Sequence, residues 1–266
     1  MATREQRRSS SERLRDLSAE DGRGLLPFAG VAVGLAVWWL VTYLSTGVLA
    51  NFAPSNSFAT LADLLVTPEF YFEDVGASLV RFGGAFVLSV AVGLPVGVAL
   101  GYFDVADRLS SVTFQFLRMV SPVAWFPVAL LVFESGGHAA PIFIMFMGGV
   151  WPLMYNTAHG IHTIDTDWLR VAFSLGGDNR RVIRHVVLPG VVPDVLSGLR
   201  LSIGWMWILL VPAELLGVNS GLGYTVLDAR YQFDYAVIPA VMLVIGFIGY
   251  WLDWSVRRLQ ARWSWD

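Results

Sequence analysis

Three groups of residues in this chain have side-chain types and spacings that can act on a ligand. His159 and His162 are three apart, so one helix face can carry both, with Asp165 about a turn further on; that spacing suits a metal ion. Nothing else in the sequence completes the ligand set, and a histidine beside an apolar run also serves as an interfacial residue. The remote alternative function of this trio is an intramembrane enzyme. Glu214 and Glu134 form the second group, acids within or beside apolar stretches, where an ionised group needs a partner or a water-filled cavity. Glu214 either holds an outer gate through hydrogen bonds or meets a solute directly, while Glu134 reads as exposed at the outer boundary. The third group is basic. Arg118 and Arg200 lie near the inner ends of apolar runs, where they either snorkel to lipid phosphates or line an anion path.

Neutral donors accompany the arginines. Ser121, Trp125 and Asn156 offer a hydroxyl, an indole N–H and an amide to an oxyanion without a full charge. Pro122 and Pro127, five apart, free backbone groups; such breaks line cavities, or they are ordinary proline kinks. Other chemistries are excluded. There is no cysteine, hence no thiolate metal site, iron–sulfur cluster, disulfide or cysteine nucleophile. All 18 basic residues are arginine, so the chain has neither a Schiff-base lysine nor a phosphate-loop lysine, and it does not bind ATP in the P-loop manner. No Ser-His-Asp spacing or nucleophile elbow is present. The net charge of −3 makes no case for nucleic acid.

These residues sit in an apolar frame. The 266 residues are 55% hydrophobic and 15% charged, with a mean hydropathy of +0.59, against about a quarter charged for soluble domains. Six stretches approach the roughly 20 residues that a spanning helix needs: Leu25–Leu49, Ser78–Tyr102, Phe114–Phe133, Ala139–Ile161, Leu196–Val218 and Ala236–Val256. The first is longer than a cleavable signal core and reads as a retained helix. An N-terminus placed inside puts sixteen arginines on or near the inner side and only Arg81 and Arg230 toward the outside. The expectation is an all-α, multi-pass cell-membrane protein of about six transmembrane helices with both termini cytoplasmic. Residues 1–23 form a polar cytoplasmic arm, and 24–266 form one membrane domain. Phe58–Val66 is expected as a short interfacial helix, and Ser89, Gly93, Gly97 and Gly101 as a small-residue packing face.

The inner connection, about 163–193, carries the clearest punctuation. Asp165, Thr166 and Asp167 are N-cap types ahead of Trp168–Phe173, Gly176 and Gly177 break the helix, and Asp178 or Asn179 caps a second one over Arg180–Leu188. Pro189 is expected to end that helix and Pro193 to begin the fifth membrane helix. The result would be a rigid elbow with Arg180, Arg181 and Arg184 on one face, meeting an acidic partner or anionic lipid.

The run Ala172-x3-Gly176-x9-Val186-x-Leu188-Pro189 resembles the EAA loop of ABC-importer permease subunits, EAA-x3-G-x9-I-x-LP, with Arg170 where that family usually has glutamate and Val171 where it has the first alanine. Phe116–Pro127 is similar to the P-x-x-A-x-x-P segment of the nitrate/sulfonate/taurine (bicarbonate) type. Trp151-Pro152 with Asn156–Gly160 resembles its fourth helix, and Ala213–Tyr224 its A-E-…-G-x-G-Y outer turn. The resemblance implies a type I ABC importer permease (MetI-like) fold. It also implies a transport subunit with no catalytic residue, no metal and no cofactor on this chain. Its partners would be ABC ATPase subunits, an extracytoplasmic solute-binding protein and a second permease copy. Arg170, Ala172, Gly176, Gly177, Arg180, Arg181, Arg184, Leu188 and Pro189 are then the ATPase-coupling loop, and Arg118, Ser121, Pro122, Trp125, Asn156 and Glu214 the candidate translocation path. The solute would be a small oxyanion such as nitrate, sulfonate/taurine or bicarbonate; a vitamin precursor or other non-anionic solute is the alternative.

Overall fold

The computed structural model describes residues 28–133, 137–215 and 217–262. The 1–23 arm and Glu134 lie outside them. All regular structure among the described residues is helical. Helix α1 covers Phe28–Leu44 and α2 covers Pro54–Val66, with proline in its first turn. Helix α3, Gly76–Tyr102, continues a π-helical turn at Phe70–Val75. Then come α4 (Asp104–Met119), a 3-10 turn (Pro122–Trp125), α5 (Phe126–Val132), α6 (Ala139–His162) and α7 (Thr166–Ser174). The chain finishes with α8 (Asn179–Val182), α9 (Leu188–Glu214), α10 (Leu222–Tyr231) and α11 (Val237–Gln260).

Four helices are long and apolar enough to cross a bilayer: Phe70–Tyr102, Ala139–His162, Arg180–Glu214 and Val237–Gln260. A fifth span arises only if α4 and Pro122–Val132 count together, and they are bent by 88°. Among the described residues the helices therefore account for four of the expected six or so spans, or five with the bent pair, and two of the runs depart from a continuous helix. The third run breaks at Val120–Ser121 because Pro122 and Pro127 cannot donate to a continuous helical ladder and the residue before a proline is pushed out of helical geometry. Ser121 has φ −55° and ψ 129°, outside the helix. The first run stops at Leu44 because Ser45 and Thr46 are followed by Gly47 at φ +74°. The described part of α1 is then about 25 Å long, against a hydrocarbon core of about 30 Å.

The connection over 163–193 also departs from expectation. Pro189 does not end a helix, and Pro193 does not start one. Arg180–Glu214 is a single 35-residue helix containing both. A π-helical turn at Ile183–Val187 immediately precedes Leu188-Pro189 and shifts the hydrogen-bond register where the proline ring and missing N–H would otherwise break it.

Helix α6 is the centre of the bundle, packed between α3 and α9. Both interfaces are built from small residues. Ser89, Gly93, Gly97 and Gly101 of α3 are all buried and face α6; a Cβ on Gly97 would stand 2.6 Å from the Met154 carbonyl oxygen, and one on Gly101 would stand 2.7 Å from Ile161. On the other side a Cβ on Gly198 would stand 3.2 Å from the Pro152 oxygen and from the Leu153 Cα. Ser202 donates to the Gly149 carbonyl, so α6 and α9 also share a polar contact. Above these contacts, Ala85, Ile144, Met145, Met206, Leu210 and Val241 form a fully enclosed core.

The seam makes a direct prediction. Gly97→Leu must displace α6 backbone and should cost at least about 2 kcal/mol, read as a lower thermal midpoint of the purified protein. Gly83→Ala, at a helical position with open space around it, should be neutral or raise stability by up to about 1 kcal/mol.

Candidate functional site

At the end of the bundle where α9 passes into α10, a buried charge cluster joins three helices. Glu214, the last residue of α9, is fully buried, and Arg81 of α3 is 1% exposed. The Arg81 Nη1 lies 2.9 Å from the Glu214 Oε1 and also donates to the Ser220 carbonyl at 2.7 Å, while Nη2 donates to the Ser220 hydroxyl at 2.9 Å. The Ser78 hydroxyl lies within 2.8–2.9 Å of both carboxylate oxygens of Glu214. The carboxylate in turn accepts the Gly223 N–H at 3.0 Å, Ser78 Oγ accepts the Leu222 N–H at 2.8 Å, and Asp74 accepts the Gly221 N–H at 3.0 Å. Three orphan donors at the start of α10 are thus satisfied by side chains of other helices. Gly221 has φ +107°, and a Cβ there would sit 2.6 Å from both Arg81 and Glu214; one on Gly223 would sit 2.7 Å from Glu214. The two glycines are required by the ion pair.

Glu214 therefore stands in a closed structural cluster and lines none of the cavities described below. Sequence reasoning placed Arg81 toward the outside and missed its partner. The available signal was Ser78 and Arg81, three apart on an apolar helix, at the same outer end as Glu214.

Farther along the bundle, away from that cluster, a cavity of about 390 Å³ opens between α4, α6 and α9. Arg118, Pro122 and Asn156, three of the six path candidates, line it together with Tyr155 and Trp205; no carboxylate does. The Asn156 amide donates to the Pro152 carbonyl at 2.8 Å, using one of its two N–H groups. Arg118 stacks on Tyr155, with its guanidinium carbon 4.8 Å from the ring centroid. Arg200 belongs to a different groove of about 580 Å³, where its Nε donates to Asp253 at 3.1 Å. Ser121 and Trp125 line neither space. Trp125 packs edge-on against Phe143, and its buried Nε1 has no hydrogen-bond partner.

The elbow is built as its spacing demands. Asp165 caps α7 by accepting the Asp167 N–H at 2.8 Å. Gly176 has φ +80°, the Gly177 N–H donates to the Ala172 carbonyl at 3.1 Å, and the Gly176 N–H donates to the Phe173 carbonyl at 3.0 Å. This is a Schellman closure, so the alanine-to-glycine spacing records which carbonyl the chain turns back to reach. Asp178 accepts the Arg181 N–H at 3.3 Å and opens α8. Arg180, Arg181 and Arg184 are exposed, as are Leu188 and Pro189. Arg170 is exposed and pairs with Asp167 at 3.0 Å. Trp168, Ala172, Leu175, Val186, Pro189 and Pro193 help line an apolar groove of about 720 Å³ under the elbow. His159, His162 and Asp165 do not assemble a metal site, and no group of three ligating side chains occurs among the described residues.

Comparisons with known proteins agree with one another. The family model described as binding-protein-dependent transport system inner membrane component matches residues 91–264. The bicarbonate transport system permease protein CmpB of Synechococcus elongatus is 34% identical, over 90% of this chain and 88% of its own. The nitrate import permease protein NrtB of Leptolyngbya laminosa is 30% identical, over 97% of this chain and 95% of its own. A solved structure of the MetNI methionine ABC transporter in an inward-facing conformation superposes with a TM-score of 0.60 at 17% identity, covering 72% of this chain and 94% of the matched one. That likeness shows the fold.

The outer cluster can be tested by breaking it on one side and on both. Arg81→Met or Glu214→Gln strands a buried partner and should cost about 3–5 kcal/mol. The double variant Arg81→Met/Glu214→Gln should recover a large part of that loss in a thermal double-mutant cycle. Additive losses would mean that the pair is not coupled.

Proposed function

The chain belongs to the family of binding-protein-dependent transport system inner membrane components, and from that premise we propose that it carries a small oxyanion across the cell membrane. It is a permease subunit of an ABC importer, a multi-pass membrane protein whose partners are ATP-hydrolysing subunits and a solute-binding protein. It is not an enzyme, since ATP hydrolysis belongs to the separate subunit.

Several finer points complete the reading. The pore is formed with a second copy of this chain, and the permease domain occupies 24–266, with 1–23 as a cytoplasmic arm. Both termini face the cytosol, and no cofactor is bound by this subunit. The elbow within 163–193 is the ATPase contact: Arg170, Arg180, Arg181 and Arg184 supply its charged surface, Ala172, Gly176 and Gly177 its turn, and Leu188-Pro189 its junction with α9. Closure of the ATPases pushes on this elbow, and the continuous Arg180–Glu214 helix carries the displacement outward. Coupling of this kind needs an element that biases one of two packed states, which a hydrogen-bonded turn does and a loose loop does not.

The observation that carries the anion assignment is the cavity lined by Arg118, Pro122 and Asn156 without any carboxylate. Cations gain nothing there, whereas an oxyanion meets one positive charge and neutral donors. Ser121 and Trp125 shape the broken segment beside it, and Glu214 acts by holding the outer turn. Nitrate, bicarbonate and a sulfonate such as taurine's are the solutes considered, and relatives named for bicarbonate and nitrate support the first two.

Purification of the tagged chain from native membranes in mild detergent should bring an ATP-binding-cassette subunit with it at near-equal amount; a chain that purifies alone overturns the reading. Gly176→Val should uncouple. Its φ of +80° is hostile to a β-branched residue although the space around it is open, so the variant inserts but loses solute uptake by about ten-fold or more while ATP hydrolysis continues. Gly176→Asn, which tolerates that conformation, should keep most uptake. Normal uptake by Gly176→Val would remove the elbow from the mechanism.

A further inference from the structure

Resting on the oxyanion reading above, we infer that Arg118 and Tyr155 together form the anion-selecting step of the path, a guanidinium stacked on a phenol ring that takes a small planar oxyanion through its free N–H edge. Two cavities meet at this pair. The one of about 390 Å³ is lined by both residues, and so is a second of about 240 Å³ on the other side, with Asp107, Ser110, Ser111 and Gln115 in its wall. Arg118 and Tyr155 are the residues common to the two linings, so a solute passing from one space to the other passes between or beside them.

What distinguishes Arg118 is its place at both cavities: Arg258, whose guanidinium lies 4.3 Å from the Trp254 ring centroid, is also stacked but lines neither space. Arg81, Arg170, Arg181, Arg200 and Arg257 each pair with a carboxylate. Among the described residues, Arg118 makes no hydrogen bond or ion pair, and its guanidinium lies over the Tyr155 ring. A guanidinium held over an aromatic face is oriented by its π surface and keeps its in-plane donors uncommitted. Two of those donors form a fork matching two oxygens on one central atom, the arrangement that a planar trigonal anion such as nitrate or bicarbonate presents in any orientation. A spherical halide offers no second acceptor to the fork.

Charge placement favours passage in stages. The 390 Å³ space holds the arginine and no acid, so it gathers anions; the 240 Å³ space holds Asp107, which disfavours a long stay beyond the pair. Asp107, Ser110/Ser111, Gln115 and Arg118 recur at three- to four-residue spacing along one face of α4. The polar face of this amphipathic helix is thereby assigned to the path, and its exposed apolar stripe, Val105, Leu109, Val112 and Phe116, to the surroundings.

The test uses the complete transporter, with its ATPase subunits and binding protein, in proteoliposomes, with nitrate and bicarbonate as probes. Arg118→Lys, which keeps charge but loses the fork, and Tyr155→Leu, which removes the stacking face, should each lower uptake of the transported anion about ten-fold, with ATP hydrolysis stimulated by the binding protein as in wild type. Tyr155→Phe keeps the ring and should stay within about two-fold of wild type. Because the chain has no cysteine, Arg118→Cys gives it a single thiol that can be modified after assembly. A positively charged methanethiosulfonate should then restore part of the lost uptake, and the neutral methyl reagent should not. Wild-type uptake by both Arg118→Lys and Tyr155→Leu, or equal rescue by the two reagents, overturns the assignment and leaves the oxyanion reading standing. Failure of the wild-type complex to take up either anion overturns both.

Discussion

The Arg81–Glu214 ion pair sets the terms for the end of the bundle where α3, α9 and α10 meet. Removing two charges from water is expensive, and the expense falls as the remaining donors and acceptors find partners; here the buried Arg81 Nε is left without one. Here that demand recruits Ser78, Ser220 and the first N–H groups of α10, and it requires glycine at 221 and 223 so that the backbone can come close enough. One polar contact therefore fixes where α3 meets α9 and how the chain turns into α10. These elements cannot separate singly, since each would strand a buried charge or an orphan amide. Any rearrangement at this end keeps α3, the end of α9 and the start of α10 together.

Against that fixed point, the arginines divide by the company they keep. The buried one is structural. Those on the elbow are exposed and weakly paired, available to a partner surface at small energetic effect within this chain. Arg200 and Arg257 share the single carboxylate of Asp253, which offsets one of their two charges. Arg118 is left stacked and uncommitted between two cavities. A composition containing arginine as its only strong base thus yields four distinct roles, decided by the acids within reach.

Much of this was legible in the sequence because it is local. The N-cap at Asp165, the break at Gly176, the cap at Asp178 and the small-residue spacing on α3 depend on neighbours a few positions away, and the structure shows the physical contact behind each. The interval from Ala172 to Gly176 places the left-handed glycine where the next residue's N–H, that of Gly177, reaches back to the Ala172 carbonyl. What could not be read there depended on contacts across the fold. Arg81 and Glu214 lie 133 positions apart, so hydropathy placed one outside and left the other between two roles. Pro189 and Pro193 looked like boundaries because a proline alone breaks a helix; the π-helical turn before Leu188 that accommodates them has no composition of its own. The bend at Ser121 was signalled by its two prolines, but its 88° was not. Asn156, Pro122 and Arg118 line one cavity, and Tyr155 beside them was overlooked, being one of several aromatics in an apolar run.

The unbroken helix from Arg180 to Glu214 has a mechanical consequence. Its 35 residues make a rod about 52 Å long. It is pinned near its middle, where Gly198 lies against the α6 backbone and Ser202 bonds to Gly149. A rod held at its midpoint is a see-saw. Tilting it by about ten degrees swings its two ends roughly 4–5 Å in opposite directions. Because Arg81 and Ser78 hold Glu214 at the far end, such a tilt carries α3 and the start of α10 with it, so movement at the elbow and movement at the Glu214 end become the same event.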